Sequence, residues 1–335
     1  MRNHLVPTLI AAKIFFALLT FYFFAVMLGW NMFSYPDYYH AYSNCLEVPS
    51  ANILYPKLFC AASYITDRPM AFDSVFFISA AAFINMFILI GYFIVCEKYL
   101  NKYGKYVLII LFVTHPYMNI YFFRLYTDLF ASLGIFLMFF YKMKNININI
   151  FFVISAVVLI NFRVALIPVF VVYGLWEMYS QYIYRNYKKL FYPILVILLS
   201  LLSYIPAMEF SSAFTKINSQ EGLLEKIIYN IVFTFGFRES NAVSREFITA
   251  GHWTDIWSFM VSLILITIHA IGLFGIVKFS FLKKDLSILV IFIYLLVPIF
   301  AVAHMRYLLP LIPILLFGYS YLFFRTTKKE YLTNR

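Results

Sequence analysis

Long apolar runs constrain this chain more than any other feature of its sequence. Runs of roughly 17 to 25 apolar residues, enough to cross a bilayer as a helix, follow one another along most of its 335 residues. Hydrophobic residues make up 64% of the chain and charged residues only 12%, whereas a soluble globular chain is roughly half apolar and a quarter charged. Because a water-soluble fold cannot hide so much apolar surface, the sequence predicts an all-α, polytopic membrane protein.

The runs predict a bundle of about ten transmembrane helices in a single integral-membrane domain that covers 1–335. Two apolar stretches are too long for one crossing, so each is divided at an internal arginine, Arg124 in the first and Arg163 in the second. The predicted spans are 8–30, 74–96, 106–122, 125–141, 146–162, 164–182, 190–208, 256–278, 286–303 and 307–324.

Two longer segments between spans, about 31–73 and 209–255, are expected on the outer side of the membrane. Helical spacing of apolar residues near 221–235 predicts an amphipathic helix lying on the membrane surface, and a second surface helix is expected near 52–65. The first apolar run begins after Arg2 and is too long for the apolar core of a cleaved signal peptide. We therefore interpret it as an uncleaved first span.

The distribution of charge orients this layout. With the N-terminus inside, the inner side carries 17 basic and four acidic residues and the outer side 9 basic and 11 acidic residues, in line with the net charge of +11. Cytoplasmic loops normally carry this excess of lysine and arginine, so both termini are predicted in the cytoplasm and the protein in the cytoplasmic (inner) membrane. Lys13 is expected to snorkel to the same side. Because the charges occupy short loops, the basic balance does not indicate nucleic acid as a partner.

The cysteines and the lack of metal-ligand spacings do not indicate a particular cofactor. Cys45 and Cys60 lie in the first outer segment, where a disulfide and two free thiols remain equally open, and Cys96 is expected to be unpaired. Spacings such as CxxC and HExxH do not occur, so no cofactor is predicted and a role for a divalent cation is left open.

The unusual polar residues collect at the predicted outer ends of the spans. Ionisable groups at membrane depth are costly and tend to pair or to line a water-filled cavity. Guanidinium groups bind phosphate oxygens bidentately, and a nearby carboxylate can deprotonate a hydroxyl nucleophile. We therefore predict one outer cavity for a phosphorylated, lipid-borne ligand. Its candidate residues are Arg124, Arg163 and Arg306 for phosphate binding, Asp37, Asp128 and His304 for catalysis, and Arg238, Arg245 and His252 as loop contacts.

Each candidate also has a plainer interpretation. Arg124 and Asp128 are four residues apart and fit an intrahelical ion pair, while Arg163 fits a cap between two helices. Asp37 follows a proline and fits an ordinary loop residue, and Arg306 fits an interface anchor. The arginines and the histidine of the second outer segment fit solvated loop residues, and Glu177 and His269 are expected to be structural.

Three segments resemble integral-membrane glycosyltransferases of the GT-C superfamily and the related Wzy-type O-antigen polymerases. They are an aspartate soon after the first span (Asp37), His115-Pro116 followed by an aromatic run and Arg124-Leu-Tyr-Thr-Asp128, and Arg306-Tyr-Leu-Leu-Pro310 opening the last span. Arg163 and Gly174 also match an Arg-x10-Gly pattern. Asp37 stands alone where a paired acidic motif would be expected, which departs from the metal-dependent form of the GT-C mechanism.

The resemblance implies sugar transfer on the outer side of the membrane from a polyprenyl-phosphate or polyprenyl-pyrophosphate donor. Its implied partners are the lipid-linked donor and acceptor, the lipid bilayer and other proteins of polysaccharide assembly. The first expectation is O-antigen repeat-unit polymerisation. A GT-C enzyme that adds one sugar and a non-enzymatic flippase or transporter are the alternatives. A flippase would favour charges deep inside the spans and a repeat between halves, and no such repeat is visible in the sequence.

Overall fold

A computed structural model of the protein describes residues 2–22, 75–183, 185–209, 252–283, 287–300 and 308–326, together with positions 54 and 57. Within these segments the chain is all-helical and contains no strand, which confirms the all-α part of the predicted fold class. The helices are α1 (Arg2–Tyr22), α2 (Val75–Cys96), α3 (Lys102–Thr114), α4 (Pro116–Ile120), α5 (Thr127–Met143), α6 (Ile150–Phe162), α7 (Ile167–Ile183), α8 (Phe191–Glu209), α9 (His252–Lys283), α10 (Ser287–Phe300) and α11 (Ile312–Phe324).

Four stretches of helix are long and apolar enough to cross a membrane: His4–Tyr22, Phe77–Tyr99, Val164–Ile183 and Leu263–Lys283. Three shorter apolar helices, Ile150–Phe162, Phe191–Ser203 and Ile312–Phe324, accompany them. These helices indicate a membrane protein, while the count of about ten spans and a GT-C fold stay predictions. The two predicted surface helices, Cys45 and Cys60 lie outside the described segments apart from positions 54 and 57.

The helix breaks follow local sequence. The predicted divisions at Arg124 and Arg163 are confirmed, because each of these residues lies between two helices. The span predicted over 106–122 is itself interrupted at His115, between α3 and α4. Proline disfavours helical backbone in the residue before it, and His115 is accordingly extended, with φ −63° and ψ 118°. Pro116 then occupies the start of α4, where its missing N–H has no helical partner to lose.

Residues 1–91 and 112–213 form one compact unit. In its described part α8 packs against α7 and α6, α5 against α6, and α1 against α4. The ring of Phe152 is at the centre of this core, in edge contact with Phe170 at 5.8 Å. A Cβ atom added to Gly134 of α5 would lie 2.8 Å from Leu166 Cδ1. Glycine therefore lets α5 approach the 3₁₀ turn Val164–Leu166.

Residues 92–111 and 214–335 form a second compact unit. Its described core is the contact of α9 with α11. Gly272 and Gly275 of α9 meet the backbone of α11 at Leu315 and Gly318, where any side chain would collide. Small residues at such a crossing allow helices to pack closely within a membrane. His269 of α9 is fully buried, in keeping with its predicted structural role.

Candidate functional site

The strongest polar contact among the predicted site residues joins Asp128 to Arg163. Asp128 is the second residue of α5 and its side chain is fully buried. Arg163 follows the last residue of α6 in extended backbone, with φ −147° and ψ 99°. Its Nη2 atom lies 3.1 Å from Asp128 Oδ1, and its side chain keeps 14% exposure. The carboxylate therefore fixes the guanidinium of a side chain that stays partly exposed.

Packing around this ion pair brings the ends of α5 and α6 together. Arg163 Nη1 donates a hydrogen bond to Thr127 Oγ1 at 3.1 Å. The rings of Phe130, two residues after Asp128, and Phe162, directly before Arg163, stack with centroids 4.0 Å apart and planes 9° from parallel. The negative charge of Asp128 in the first turn of α5 also interacts favourably with the helix dipole. The pair is consequently built into the packing of α5 on α6.

Arg124 lies in the connection that leads into α5 and is almost completely buried, at 3% exposure. Its Nη1 atom donates to the phenol oxygen of Tyr126 at 3.0 Å. The guanidinium carbon is 5.7 Å from the ring centre of Tyr121 and 5.9 Å from that of Tyr126, within the range of cation–π attraction. The alternative of an intrahelical Arg124–Asp128 pair is wrong, because α5 begins only at Thr127.

A second polar cluster surrounds Lys13, which is fully buried in the middle of α1. Its Nζ atom donates to Phe112 O at 3.1 Å and to Asn119 Oδ1, and lies 5.7 Å from the ring centre of Phe122. The Asn119 amide donates in turn to Val113 O at 3.0 Å. The prediction that Lys13 snorkels to the inner surface is therefore wrong, since its side chain is fully buried and its ammonium group donates to two oxygen atoms inside the bundle.

At the other end of α5, Lys142 forms an ion pair with Glu177 of α7, with Nζ and Oε1 3.7 Å apart. Lys142 also lies 5.9 Å from the ring centre of Trp176. This contact joins α5 to α7. The two helices are also linked indirectly, because α5 packs against α6, α6 against α8 and α8 against α7. It agrees with the structural role expected for Glu177.

The structure thus brings Asp128 and Arg163 into contact and buries Arg124 in the preceding connection. The remaining predicted site residues lie outside the described segments: Asp37, Arg238, Arg245, His304 and Arg306. His252 is the first residue of α9, so this helix begins four residues before the predicted span. The meeting of all three predicted phosphate-binding arginines in one cavity stays a prediction.

No group of three or more histidine, cysteine, aspartate or glutamate residues that could hold a metal occurs in the part of the chain described. Cys96, at the end of α2, is a buried free thiol. Sequence reasoning missed the polar roles of Lys13, Asn119 and Thr127. A lysine in the middle of an apolar helix was the available signal, because such residues normally have a partner inside the bundle.

Fold and site together define an α-helical membrane protein with a buried aspartate–arginine pair where two of its helices meet. No protein family, curated protein or solved structure matches the chain.

Proposed function

We propose that this protein is a membrane glycosyltransferase of surface-polysaccharide assembly that uses a polyprenyl-phosphate or polyprenyl-pyrophosphate donor. Its proposed reaction is O-antigen repeat-unit polymerisation, in which a growing lipid-linked glycan passes to a lipid-linked repeat unit on the outer side of the membrane. The observation that carries the proposal is the Arg163 guanidinium, held by Asp128 and Thr127 on a side chain that remains partly exposed.

A guanidinium held in this way suits a phosphate ligand. It keeps its charge at every physiological pH and presents its N–H groups in a planar fork that matches phosphate oxygens. The contacts with Asp128 and Thr127 are made before a ligand arrives. Binding therefore costs little ordering of the Arg163 side chain, and charge that develops during the reaction meets a fixed positive group.

In the proposed reaction the acceptor hydroxyl attacks the anomeric carbon of the donor sugar. A new glycosidic C–O bond forms as the bond between that carbon and the lipid phosphate oxygen breaks. The hydroxyl proton passes to a carboxylate base, and the released lipid phosphate carries away the electron pair. Arg163 would stabilise the charge on this leaving group, together with Arg124 and Arg306 as the sequence predicts.

The contacts of Asp128 refine the predicted catalytic roles. Its carboxylate is fully buried and ion-paired with Arg163, so it is better placed to orient the guanidinium than to accept a proton from an acceptor sugar. Within the proposal this favours Asp37 as the general base, with His304 as a further candidate from the sequence. Asp128 then acts as a positioning residue.

A specific observation favours transport as the second candidate function. Lys13 is buried in the middle of an apolar helix and α3 is separated from α4 by a break at His115. Charged residues at membrane depth and discontinuous helices are features of substrate sites in transporters. A lipid-linked glycan flippase would use them on the same class of substrate.

Deletion of the gene separates the candidate functions when the cell-surface polysaccharide is resolved by gel electrophoresis. Loss of a polymerase should leave the lipid core carrying one repeat unit. Loss of a single-sugar transferase should remove or shorten the repeat itself, and loss of a flippase should retain the repeats inside the cell. Normal surface polysaccharide of full length would contradict all three.

The variant Arg163→Ala tests the site within this experiment. We expect it to abolish long chains while the protein still inserts, because one fixed phosphate-binding charge contributes roughly a hundredfold or more to such a reaction. The matched control is Lys142→Met, which removes a paired cation at the opposite end of α5 and should keep normal chains. Normal chain lengths in Arg163→Ala would contradict the phosphate site.

A further inference from the structure

We propose that Lys13 and Asn85 are positioning residues that hold residues 112–122, here termed the break segment, and thereby fix Arg124. Their role in phosphate binding rests on the function proposed above. Their role in holding the break segment rests only on the contacts of α1 and α2 with it.

The break segment needs hydrogen-bond donors because of its proline. In a continuous helix, the carbonyl of residue 112 would accept from the N–H of residue 116. Pro116 has no N–H, so Phe112 O loses its helical partner. Lys13 Nζ supplies the missing donor at 3.1 Å. An unpaired carbonyl is costly inside an apolar bundle, where no water can replace the missing donor, and Lys13 removes that cost.

Asn119 supplies a hydrogen-bond donor to the next carbonyl of α3. Its side-chain oxygen accepts from Lys13, and its amide donates to Val113 O at 3.0 Å. One lysine on α1 therefore connects the last turn of α3 to the short helix α4. No ion pair of Lys13 occurs in the described segments, and its described hydrogen-bond partners are a backbone carbonyl and an amide. These contacts assign it to the backbone break.

Asn85 of α2 holds the other end of the break segment. Its Nδ2 atom donates to Phe122 O at 3.0 Å and approaches Tyr121 O at 3.4 Å. These carbonyls follow the end of α4, and Tyr121 O also accepts from the backbone N–H of Arg124 at 3.2 Å. Arg124 comes two residues later and lies against the ring of Tyr121. The backbone that carries Arg124 is thus anchored to α1 at its start and to α2 at its end.

The first measurement is amide hydrogen exchange over residues 112–126 of the full-length protein in nanodiscs. Lys13→Met and Asn85→Leu should each speed exchange in this region, while the control Lys142→Met should leave it at the wild-type rate. Lys13→Gln keeps an N–H donor and should therefore retain part of the protection from exchange. This variant replaces Lys13→Met in the measurement if Lys13→Met does not fold. Wild-type exchange in Lys13→Met and Asn85→Leu would overturn the proposal.

The second measurement compares binding of farnesyl phosphate with binding of farnesol, which lacks the phosphate. Lys13→Met and Asn85→Leu should lower affinity for farnesyl phosphate by about tenfold, the order of one hydrogen bond to a charged group, and leave farnesol affinity unchanged. General damage to the fold would lower both affinities together. Equal losses for the two ligands would therefore overturn a positioning role.

The variant Arg163→Ala distinguishes failure of this inference from failure of the proposed function. If Arg163→Ala weakens farnesyl phosphate binding and Lys13→Met does not, the phosphate site stands and the positioning role is overturned. If the wild-type protein binds farnesyl phosphate no better than farnesol, the proposed function fails. Hydrogen exchange then decides alone whether Lys13 and Asn85 hold the break segment.

Discussion

An ion pair joins each end of α5 to a residue of another helix or its end. The two pairs differ in burial and in the distance between their charged atoms. Asp128 and Arg163 are 3.1 Å apart, with the carboxylate fully buried. Lys142 and Glu177 are 3.7 Å apart, and the lysine keeps 23% exposure. The first pair also shares a hydrogen bond with Thr127, whereas the second lies beside an aromatic ring.

This difference shows that an ion pair alone does not identify a site. A long pair with one partly exposed partner contributes less to stability, because solvent screens the lysine, which keeps 23% exposure against 11% for the Glu177 side chain. A buried carboxylate is costly to keep without its partner. Arg163 supplies a positive charge to the buried Asp128 carboxylate, and this ion pair helps to fix Arg163 in place. The depth of the pair therefore distinguishes a positioned arginine from an ordinary contact between helices.

Removal of the buried acid should have the largest effect. Asp128→Ala leaves the Arg163 guanidinium without its counter-charge, and we expect a loss of about 3 kcal/mol in the free energy of unfolding, together with loss of long chains. Unfolding by denaturant titration in detergent measures the first effect. Asp128→Asn keeps the shape and should lose less stability. If Asp128→Ala lowers the free energy of unfolding by under about 1 kcal/mol, the two ion pairs of α5 contribute equally little to stability.

A crowding substitution should have an intermediate effect. Gly134→Ala places a methyl group against Leu166, whose Cδ1 atom would lie only 2.8 Å from the new Cβ atom, and overpacking of this kind costs about 1–3 kcal/mol. Denaturant titration measures this loss. The variant should also weaken farnesyl phosphate binding, because the Leu166 side chain, in the turn after Arg163, must shift to make room.

The matched control for Gly134→Ala is Gly174→Ala in α7, where a Cβ atom would lie 2.8 Å from Ile197 Cγ1 of α8. Both variants should lose stability, but only Gly134→Ala should alter ligand affinity. Equal loss of affinity in the two would show that Gly174, the last residue of the Arg-x10-Gly pattern, does more than pack α7 on α8.

Much of the fold could be predicted from the sequence, because apolar length and helix-breaking residues act locally. The divisions at Arg124 and Arg163 follow from the length of hydrocarbon that a helix can cross. The break at His115 was missed although proline signals it, since the apolar run continues on both sides. Close approaches such as Gly134 to Leu166 depend on which helices are neighbours, and no local pattern contains that information.

The candidate site could also be predicted only in part. Asp128 and Arg163 could be singled out because charges are rare in apolar stretches, but they are far apart in the sequence and their pairing depends on how α5 packs on α6. The predicted position of the Lys13 side chain was wrong for a related reason. Its position in α1 allowed a path to the membrane surface, and only the packing of α1 on α4 shows that Asn119 and Phe112 O are nearer partners.

The weaker pair of α5 provides the smallest expected effect and the sharpest check on the comparison. Glu177→Gln removes one charge but keeps a polar group near Lys142, whose ammonium remains partly exposed and lies over the ring of Trp176. We expect a stability change of under about 1 kcal/mol, unchanged chain length and unchanged farnesyl phosphate affinity. The same denaturant titration, chain-length gel and binding assay measure these three quantities. A loss as large as that of Asp128→Ala would mean that burial does not separate the two ends of α5, and Arg163 would then be no more a positioned phosphate ligand than Lys142.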